Sequence, residues 1–209
     1  MKLGFFGAGK MAEGILSAIE DKKGVVMAEK VAERAAELKR KYGVATTADV
    51  KEVAKKAKFV FLAVRPQDVD AVAAEVKPLL TEKHTIVSIV AGKTLAKLKK
   101  AFGAKVNLVR VMPNLALRAN AGMCAICPAA KTPAKDVKLV EKILGGAGAT
   151  VVLKEKDFDA VTALSGSGPA YFAYMEEAGA VPTGNRISRR SVKIQNPLSS
   201  GAGFPRGIQ

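Results

Sequence analysis

The sequence predicts an α/β fold, with a doubly wound, mostly parallel sheet followed by the start of a helical domain. Short apolar runs alternate with amphipathic stretches from the first residue to about residue 155. Such alternation of strands and helices is typical of doubly wound sheets. From Lys156 the pattern changes to a long helical segment interrupted by glycine and proline, which predicts a second, helical region.

Seven apolar runs are predicted to be the strands. They are too continuous for strands with one face in solvent, so we expect a sheet that is covered on both faces. Between them, Val31 to Tyr42 and Val69 to Leu79 carry apolar residues at helical spacing, and the first of these helices should stop at Gly43. The runs are KLGFFG, GVVMA, KFVFLAV, TIVSIVAG, VNLVRVM, GMCAIC and ATVVL.

Composition limits the class of protein. The chain of 209 residues suffices for one full α/β domain and part of another. It has no run of about 18 apolar residues and no secretory leader pattern, which predicts a cytoplasmic protein without a membrane partner. The net charge of +15 comes mostly from lysines interleaved with glutamates, which is typical of solvated helix faces. A basic nucleic-acid-binding module is therefore the weaker alternative, and the charge would also steer anionic ligands.

The cysteines and the histidine are weak candidates for metal or redox chemistry. Cys124 and Cys127 lie three apart in a predicted strand, so they should point to opposite faces and be buried core thiols. His84 stands just before a predicted strand and is expected to be a turn residue. No metal site is predicted.

The first predicted strand leads into a glycine motif. GAGKMA, Gly7 to Ala12, matches G-x-G-x-x-A at the start of a helix. Gly7 permits the tight turn, Gly9 lets the backbone approach a pyrophosphate, and Ala12 allows close helix packing. Because the motif lies in a βαβ unit, it predicts a Rossmann-type NAD(P)-binding domain, with a purely structural glycine turn as the alternative.

The end of the second predicted strand gives conflicting signals on the cofactor. Glu29 could accept a hydrogen bond from the ribose 2′-hydroxyl of NAD, whereas Lys30 and Arg34 could neutralise the 2′-phosphate of NADP. A glutamate is also common in the first turn of a helix. NADP is therefore slightly favoured, and NAD stays open.

Three further stretches follow predicted strands: AVRPQ (63–67), VAG (90–92) and RVMPN (110–114). Each has a structural explanation too, since a proline can start a helix and a glycine can form a turn. Taken together, however, FFGAGKMAEGI, FLAVRPQ, SIVAG, VRVMPN and VTALSGSGPAYFAYMEEA resemble pyrroline-5-carboxylate reductases over about residues 1–178. The resemblance implies a Rossmann domain, a helical dimerisation domain, and hydride transfer from NAD(P)H to a cyclic imine carboxylate in proline synthesis.

The resemblance also implies site residues, although it assigns no proton donor. Asn114 would line the substrate pocket, and Ser165 and Ser167 in the helix break are candidates for lining it; a structural role of the break is equally open. A serine hydrolase is not favoured, because neither serine is centred in G-x-S-x-G. The chain departs from the usual family residues at Lys10, Glu29–Lys30, Arg65 and Leu115–Ala116. The expected cofactor-binding residues are Phe6, Gly7, Ala8, Gly9, Lys10, Met11, Ala12, Lys30, Ala63, Val64, Arg65, Pro66, Ala91 and Gly92.

The residues after Glu177 have a different composition. From Gly179 there is no Asp or Glu, arginine replaces lysine, and closely spaced Gly, Pro and Ser remove any helical period. We predict an NAD(P)-binding domain over 1–155, the start of a helical dimerisation and substrate domain over 156–178, and an aberrant, disordered tail over 179–209. A reading-frame shift or a chimeric gene end would explain the tail, and a natural disordered tail is the alternative.

The tail has a consequence for activity. Without further helices, the apolar face of Val161 to Met175 would lack its partner, which puts the homodimer or larger homo-oligomer of the family in doubt. The chain is then expected to be at best a cofactor-binding protein with little or no reductase activity.

Overall fold

A computed structural model describes residues 2–179 of the chain. The residues up to Tyr171 form one compact unit, and the last helix continues from Phe172 to Gly179. Beyond its first residue, the predicted tail lies outside the described residues. Within 2–179, no helix has both the length and the apolar character needed to cross a membrane.

A single sheet of eight strands forms the centre of the fold. The strands are β1 (Leu3–Phe6), β2 (Val26–Ala28), β3 (Ala45–Thr47), β4 (Phe59–Leu62), β5 (Thr85–Ser88), β6 (Asn107–Pro113), β7 (Gly122–Pro128) and β8 (Gly148–Val152). Their order is β3-β2-β1-β4-β5-β6-β7-β8. The first six are parallel, β7 pairs antiparallel with β6, and β8 pairs parallel with β7.

Helices connect the strands and continue beyond the last one. They are α1 (Lys10–Ala18), α2 (Ala32–Tyr42), α3 (Val50–Lys56), α4 (Val69–Val76), α5 (Leu95–Phe102), α6 (Ala134–Gly145), α7 (Phe158–Val161) and α8 (Gly168–Gly179). A π-helical turn, Thr162–Gly166, separates the last two. The predicted helical segment with an interruption is therefore confirmed. Helix α2 ends at Gly43, as predicted, because this residue adopts the left-handed conformation with φ of 68°.

Apolar side chains cover both faces of the sheet, which confirms the doubly wound fold. Buried residues of α1, α2 and α6 form one cluster with the sheet, and those of α3, α4 and α5 form the other. In the first cluster, the rings of Phe5 and Phe61 on neighbouring strands stack with centroids 5.0 Å apart. Burial of such large apolar side chains on both faces is the main stabilising contribution to this fold.

Two details of the sheet differ from the prediction. All seven predicted strands are present, but β3 is an additional strand of three residues whose side chains are partly exposed, so it shows no apolar run. The prediction that every strand is covered on both faces is wrong for β8. This strand lies at the edge of the sheet, and Val152 is exposed there.

The cysteines and the histidine lie where the sequence predicts. Cys124 and Cys127 are free, buried thiols of β7, and they belong to different apolar clusters because they point to opposite faces. Burial raises the pKa of Cys124 to about 11. His84 lies in the turn before β5, where its Nδ1 accepts from the Thr81 N–H at 2.9 Å and its Nε2 donates to the Ala54 carbonyl at 3.1 Å. Burial lowers the pKa of His84.

Candidate functional site

The carboxyl ends of the parallel strands bring the predicted segments together. In open α/β sheets, ligands bind at this edge, where neighbouring strands diverge. The chain leaves β1 at Gly7 and β4 at Ala63, and the two exits are adjacent, because the Ala63 N–H donates to the Phe6 carbonyl at 2.8 Å. The Gly7 N–H donates to the Ala28 carbonyl of β2 at 3.2 Å. The glycine motif thus lies between β2 and β4.

A side chain at Gly7 would be strained. Its φ is 94°, a conformation that favours glycine. A Cβ atom at Gly7 would also lie 2.6 Å from the carbonyl oxygen of Ala63. The tight turn predicted for this glycine is therefore enforced by the backbone of the neighbouring strand.

Gly9 leaves open space in front of helix α1. A Cβ atom there would meet no atom within 4 Å. Among the described residues, the amide N–H groups of Gly9, Lys10, Met11 and Ala12 have no hydrogen-bond partner. Free amides at a helix N-terminus, with open space before them, fit the pyrophosphate of a dinucleotide. Ala12 is buried against the sheet, as predicted for close helix packing.

The end of β2 presents Lys30 rather than Arg34 to an approaching ligand. The Glu29 carboxylate accepts a hydrogen bond from the backbone N–H of Val31, two residues along the chain, at 3.0 Å. Lys30 is exposed and forms no ion pair within residues 2–179. Arg34 is instead bound to Glu13 at 2.6 Å and to Glu37 at 2.7 Å.

The loops after β4 and β5 lie at the same edge of the sheet as the glycine motif. Ala63 and Val64 are partly exposed, and Pro66 starts a short 3-10 helix. The exposed Arg65 side chain is paired with Asp68 at 2.9 Å. After β5, Ala91 and Gly92 are exposed, and Gly92 has a φ of 72°. The predicted cofactor residues therefore lie at the carboxyl ends of neighbouring strands, although the side chains of Phe6, Ala8 and Ala12 are buried in the core.

Alternate residues of β6 face the helical segment that follows the sheet. Arg110 and Met112 lie in β6, and Asn114 follows the strand directly in an extended conformation. The three share one face because side chains alternate along an extended chain. Arg110 is buried and forms an ion pair with Glu155 at 2.9 Å. A Cβ atom at Gly166 would lie 2.9 Å from Cε of Met112, so the π-helical turn packs closely on this side chain. One face of β6 therefore carries the segment 155–166.

Asn114 joins this helical segment to the strand edge. Its Oδ1 accepts from the Met123 N–H at 3.0 Å, which fixes the amide orientation. Its Nδ2 donates to the Ser165 hydroxyl at 3.3 Å. Ser165 lies in the π-helical turn, a form of helix that is frequent at functional sites. The structure brings Asn114 and Ser165 together, whereas the side chain of Ser167 forms no hydrogen bond among the described residues.

Two groups near the site have no counterpart in the sequence-based prediction. Glu13 is held by Arg34, Lys41 and Tyr42 of helix α2, and Arg110 anchors Glu155. Both acceptors lie far from their donors along the chain, so local spacing carries no signal for them.

An open depression of about 550 Å³ lies at the opposite edge of the sheet, and none of the predicted site residues line it.

Comparison with known proteins separates the possible functions. Residues 2–92 match the family described as NADP oxidoreductase, coenzyme F420-dependent. Residues 155–182 match the family described as pyrroline-5-carboxylate reductase dimerisation. The two matches coincide with the glycine motif and with the helical segment carried by β6.

A relative of similar sequence is pyrroline-5-carboxylate reductase from Methanosarcina acetivorans. It is 32% identical over 95% of this chain and 77% of the relative. The chain belongs to the pyrroline-5-carboxylate reductase family.

Solved structures of pyrroline-5-carboxylate reductases have the same fold. The enzyme from Coxiella burnetii is 29% identical with a TM-score of 0.81, over 85% of this chain and 68% of that one. The Plasmodium falciparum enzyme, solved with NADP bound, is 30% identical with a TM-score of 0.77, over 91% of this chain and 72% of that one. The chain thus spans about two thirds to three quarters of the length of the reductases it matches. The comparisons favour a reductase over a nucleic-acid-binding module.

Proposed function

We propose that the chain is an NAD(P)H-dependent reductase that converts the C=N bond of 1-pyrroline-5-carboxylate to the C–N bond of proline. The observation that carries this proposal is the hydrogen bond between Asn114 and Ser165. It joins the helical segment with the family's dimerisation signature to the strand edge that holds the dinucleotide motif. A reductase needs its dinucleotide site and its substrate site next to each other.

The dinucleotide side of the reaction rests on the edge formed by β1, β4 and β5. The free amides of residues 9–12 would bind the pyrophosphate, and the loops after β4 and β5 would position the nicotinamide half. When bound, the cofactor supplies the hydride that adds to the imine carbon. The protein contributes mainly orientation, since holding two reactants in the correct geometry accounts for a large part of such rate enhancements.

The substrate side rests on Asn114 and Ser165. Because the Ser165 oxygen accepts from Asn114, its own O–H is available to donate to the imine nitrogen or the carboxylate. A donor near the nitrogen favours hydride addition, because a protonated or hydrogen-bonded imine is more electrophilic. We therefore infer that Ser165 faces the substrate, with Ser167 as a further lining residue and the proton donor unassigned.

The cofactor is NADP, with Lys30 as the residue that meets its 2′-phosphate. Lys30 is exposed at the end of β2 and has no carboxylate partner among the described residues. Glu29, the rival acceptor for the hydroxyl of NAD, already accepts from the Val31 N–H. The exposed Lys30 favours the phosphate-bearing cofactor, and Glu29 keeps one oxygen that could accept from a hydroxyl of NAD.

A homodimer through the helical region is the assembly that we infer. The match to the dimerisation family supports it. In the compact unit, Leu164 is 79% exposed and Tyr171 is 56% exposed. In the rest of helix α8, Phe172 is 69% exposed. Exposed apolar side chains of this size are typical of protein–protein interfaces. A cytoplasmic location stays a prediction.

The decisive experiment uses the purified 209-residue chain. Binding of NADPH, followed by the fluorescence of the nicotinamide because the chain has no tryptophan, tests the dinucleotide site. Oxidation of NADPH that depends on pyrroline-5-carboxylate tests the reaction. Turnover would support the proposed function and refute the expectation that the tail abolishes activity.

Two other results would favour the alternatives. Binding of NADPH without turnover would favour a cofactor-binding protein that does not catalyse. DNA binding that falls steeply between about 50 and 200 mM salt, without any binding of NADPH, would favour the nucleic-acid module and contradict the reductase.

A further inference from the structure

Arg34 connects the dinucleotide loop to helix α1. Its Nε donates to the carbonyl oxygen of Ala8 at 3.2 Å, and its two terminal nitrogens donate to Glu13 at 2.6 Å and to Glu37 at 2.7 Å. The Arg34 side chain is only 20% exposed and that of Glu13 only 18%. The guanidinium group is therefore held on three sides in a partly buried position.

The hydrogen bond to Ala8 fixes the direction of one peptide group. Among the described residues, no backbone N–H reaches the Ala8 carbonyl, so Arg34 is its only donor there. In a trans peptide, the C=O and N–H groups point to opposite sides. Holding the Ala8 carbonyl toward Arg34 therefore turns the Gly9 N–H away from Arg34. That N–H belongs to the set of free amides at the start of helix α1.

Glu13 holds the arginine in turn. Besides Arg34, it accepts hydrogen bonds from Lys41 at 2.8 Å and from Tyr42 at 2.9 Å. Partial burial alone would raise the pKa of Glu13, but these hydrogen bonds outweigh it and lower the pKa to about 2. The carboxylate is thus ionised at any pH at which the protein would work, and the network persists there.

The charges in this cluster balance. Arg34 and Lys41 are offset by Glu13 and Glu37. A phosphate that approaches the cluster therefore meets no excess of positive charge, in contrast to the exposed Lys30. This balance argues against Arg34 as the residue that recognises a 2′-phosphate.

We propose that Arg34 is a positioning residue for the pyrophosphate-binding loop, held in place by Glu13, and that it supports NADPH and NADH equally. The inference rests on the proposed dinucleotide-binding function. It differs from the earlier expectation that Arg34 reads the 2′-phosphate of NADP.

The test compares Arg34→Lys and Glu13→Gln with the wild type. Lysine keeps the charge beside Glu13 but cannot donate to Ala8 and both glutamates in the fork geometry of arginine. We expect each variant to weaken the binding of NADPH and of NADH by the same factor, about tenfold. The ratio of the two dissociation constants should then be unchanged. The double variant should bind the cofactors no more weakly than the single variant with the lower affinity, because Glu13 acts through Arg34.

Arg40→Ala is the matched control, because Arg40 is an exposed arginine of the same helix without an ion pair among the described residues. It should bind both cofactors like the wild type. The thermal midpoint of each unliganded variant identifies losses that arise from unfolding, and Glu13→Gln decides the matter if Arg34→Lys does not fold.

Three results would be decisive. A loss confined to NADPH would overturn the inference and make Arg34 a 2′-phosphate contact. Unchanged affinity for both cofactors in the two folded variants would also overturn it. A wild type that binds neither cofactor would instead contradict the proposed function itself.

Discussion

The side-chain amide of Asn114 is fixed between two elements, because it accepts from the Met123 N–H of β7 and donates to the hydroxyl of Ser165. The first contact belongs to the sheet and the second to the helical segment. Asn114 thus sets the position of the π-helical turn relative to the strand edge. Its two contacts should have different consequences when they are removed.

We expect Asn114→Ala to destabilise the protein more than Ser165→Ala. The first change leaves the partly buried Met123 N–H without an acceptor, at a cost of about 1–3 kcal/mol. The second removes only the weaker contact at 3.3 Å. Urea unfolding of both variants measures the difference, and equal losses would contradict this assignment. In an active chain, Ser165→Ala should raise KM for the imine and leave KM for NADPH unchanged.

Gly9→Val should abolish cofactor binding without unfolding the protein. A Cβ atom at this position meets no protein atom within 4 Å, and the backbone has φ of −67°, so we expect the fold to tolerate valine. The side chain would instead occupy the space of the pyrophosphate, so we expect the affinity for NADPH to fall by at least about a hundredfold. Fluorescence titration measures it, and unchanged affinity would reject the site.

Gly7→Val provides the contrast to that variant. At Gly7 the positive φ and the carbonyl of Ala63 oppose any side chain. This variant should lose stability by several kcal/mol, in addition to any loss of binding. If it were as stable as Gly9→Val, the turn described for Gly7 would be wrong.

Lys30→Ala should weaken the binding of NADPH more than the binding of NADH. Removing a charge that meets the 2′-phosphate costs about 1.4 kcal/mol or more, which is a tenfold change in affinity. Lys39→Ala, an exposed lysine of helix α2, is the control and should change neither affinity. Equal losses for both cofactors in Lys30→Ala would show that this lysine does not distinguish them.

Glu155→Ala should destabilise the fold by about 3 kcal/mol, because it leaves the buried Arg110 without its ion-pair partner. The guanidinium group also lies 4.6 Å from the ring centre of Phe158, so its burial depends on this helical segment. The double variant Arg110→Met with Glu155→Met should recover part of the loss, since it leaves no buried charge. Urea unfolding tests both, and a double variant less stable than Glu155→Ala would contradict this account.

The stability of the protein should depend on pH through Glu13 in acid. Its pKa in the folded protein is about 2, below the ordinary value of 4.5. A lowered pKa stabilises the folded state fully above 4.5, and this contribution is lost as the pH falls through 2. The difference in unfolding free energy between wild type and Glu13→Gln should be constant above pH 4.5 and shrink below it. A constant difference down to pH 2 would contradict the assignment.

The parts of the fold that could be predicted from the sequence are those set by local chemistry. The strand β1 is wholly apolar, and Gly7 and Gly9 follow it directly, so the motif and its place are readable. The short strand β3 was not predictable, because only its pairing with β2 defines it. The antiparallel direction of β7 likewise depends on the packing of the whole sheet.

The same distinction applies to the candidate site. Arg34 and Glu13 are 21 residues apart, and Asn114 and Ser165 are 51 apart. Asn114 and Ser165 could be named from the resemblance, but their contact could not. The sequence allows Arg34 to meet a 2′-phosphate, and Glu37, three residues along the same helix, is a visible partner. Glu13, the second carboxylate beside Arg34, comes close only in the folded chain.

Arg110 and Met112 of β6 share one face with Asn114, which directly follows the strand, and this limits how the gene can change. Adding or deleting one residue between Arg110 and Asn114 would turn part of this set to the other side of the sheet. The Arg110–Glu155 ion pair, the contact of Met112 with Gly166 and the hydrogen bond from Asn114 to Ser165 could not then all be kept. Homologues should therefore vary in length in the loops and keep the spacing within 110–114 constant.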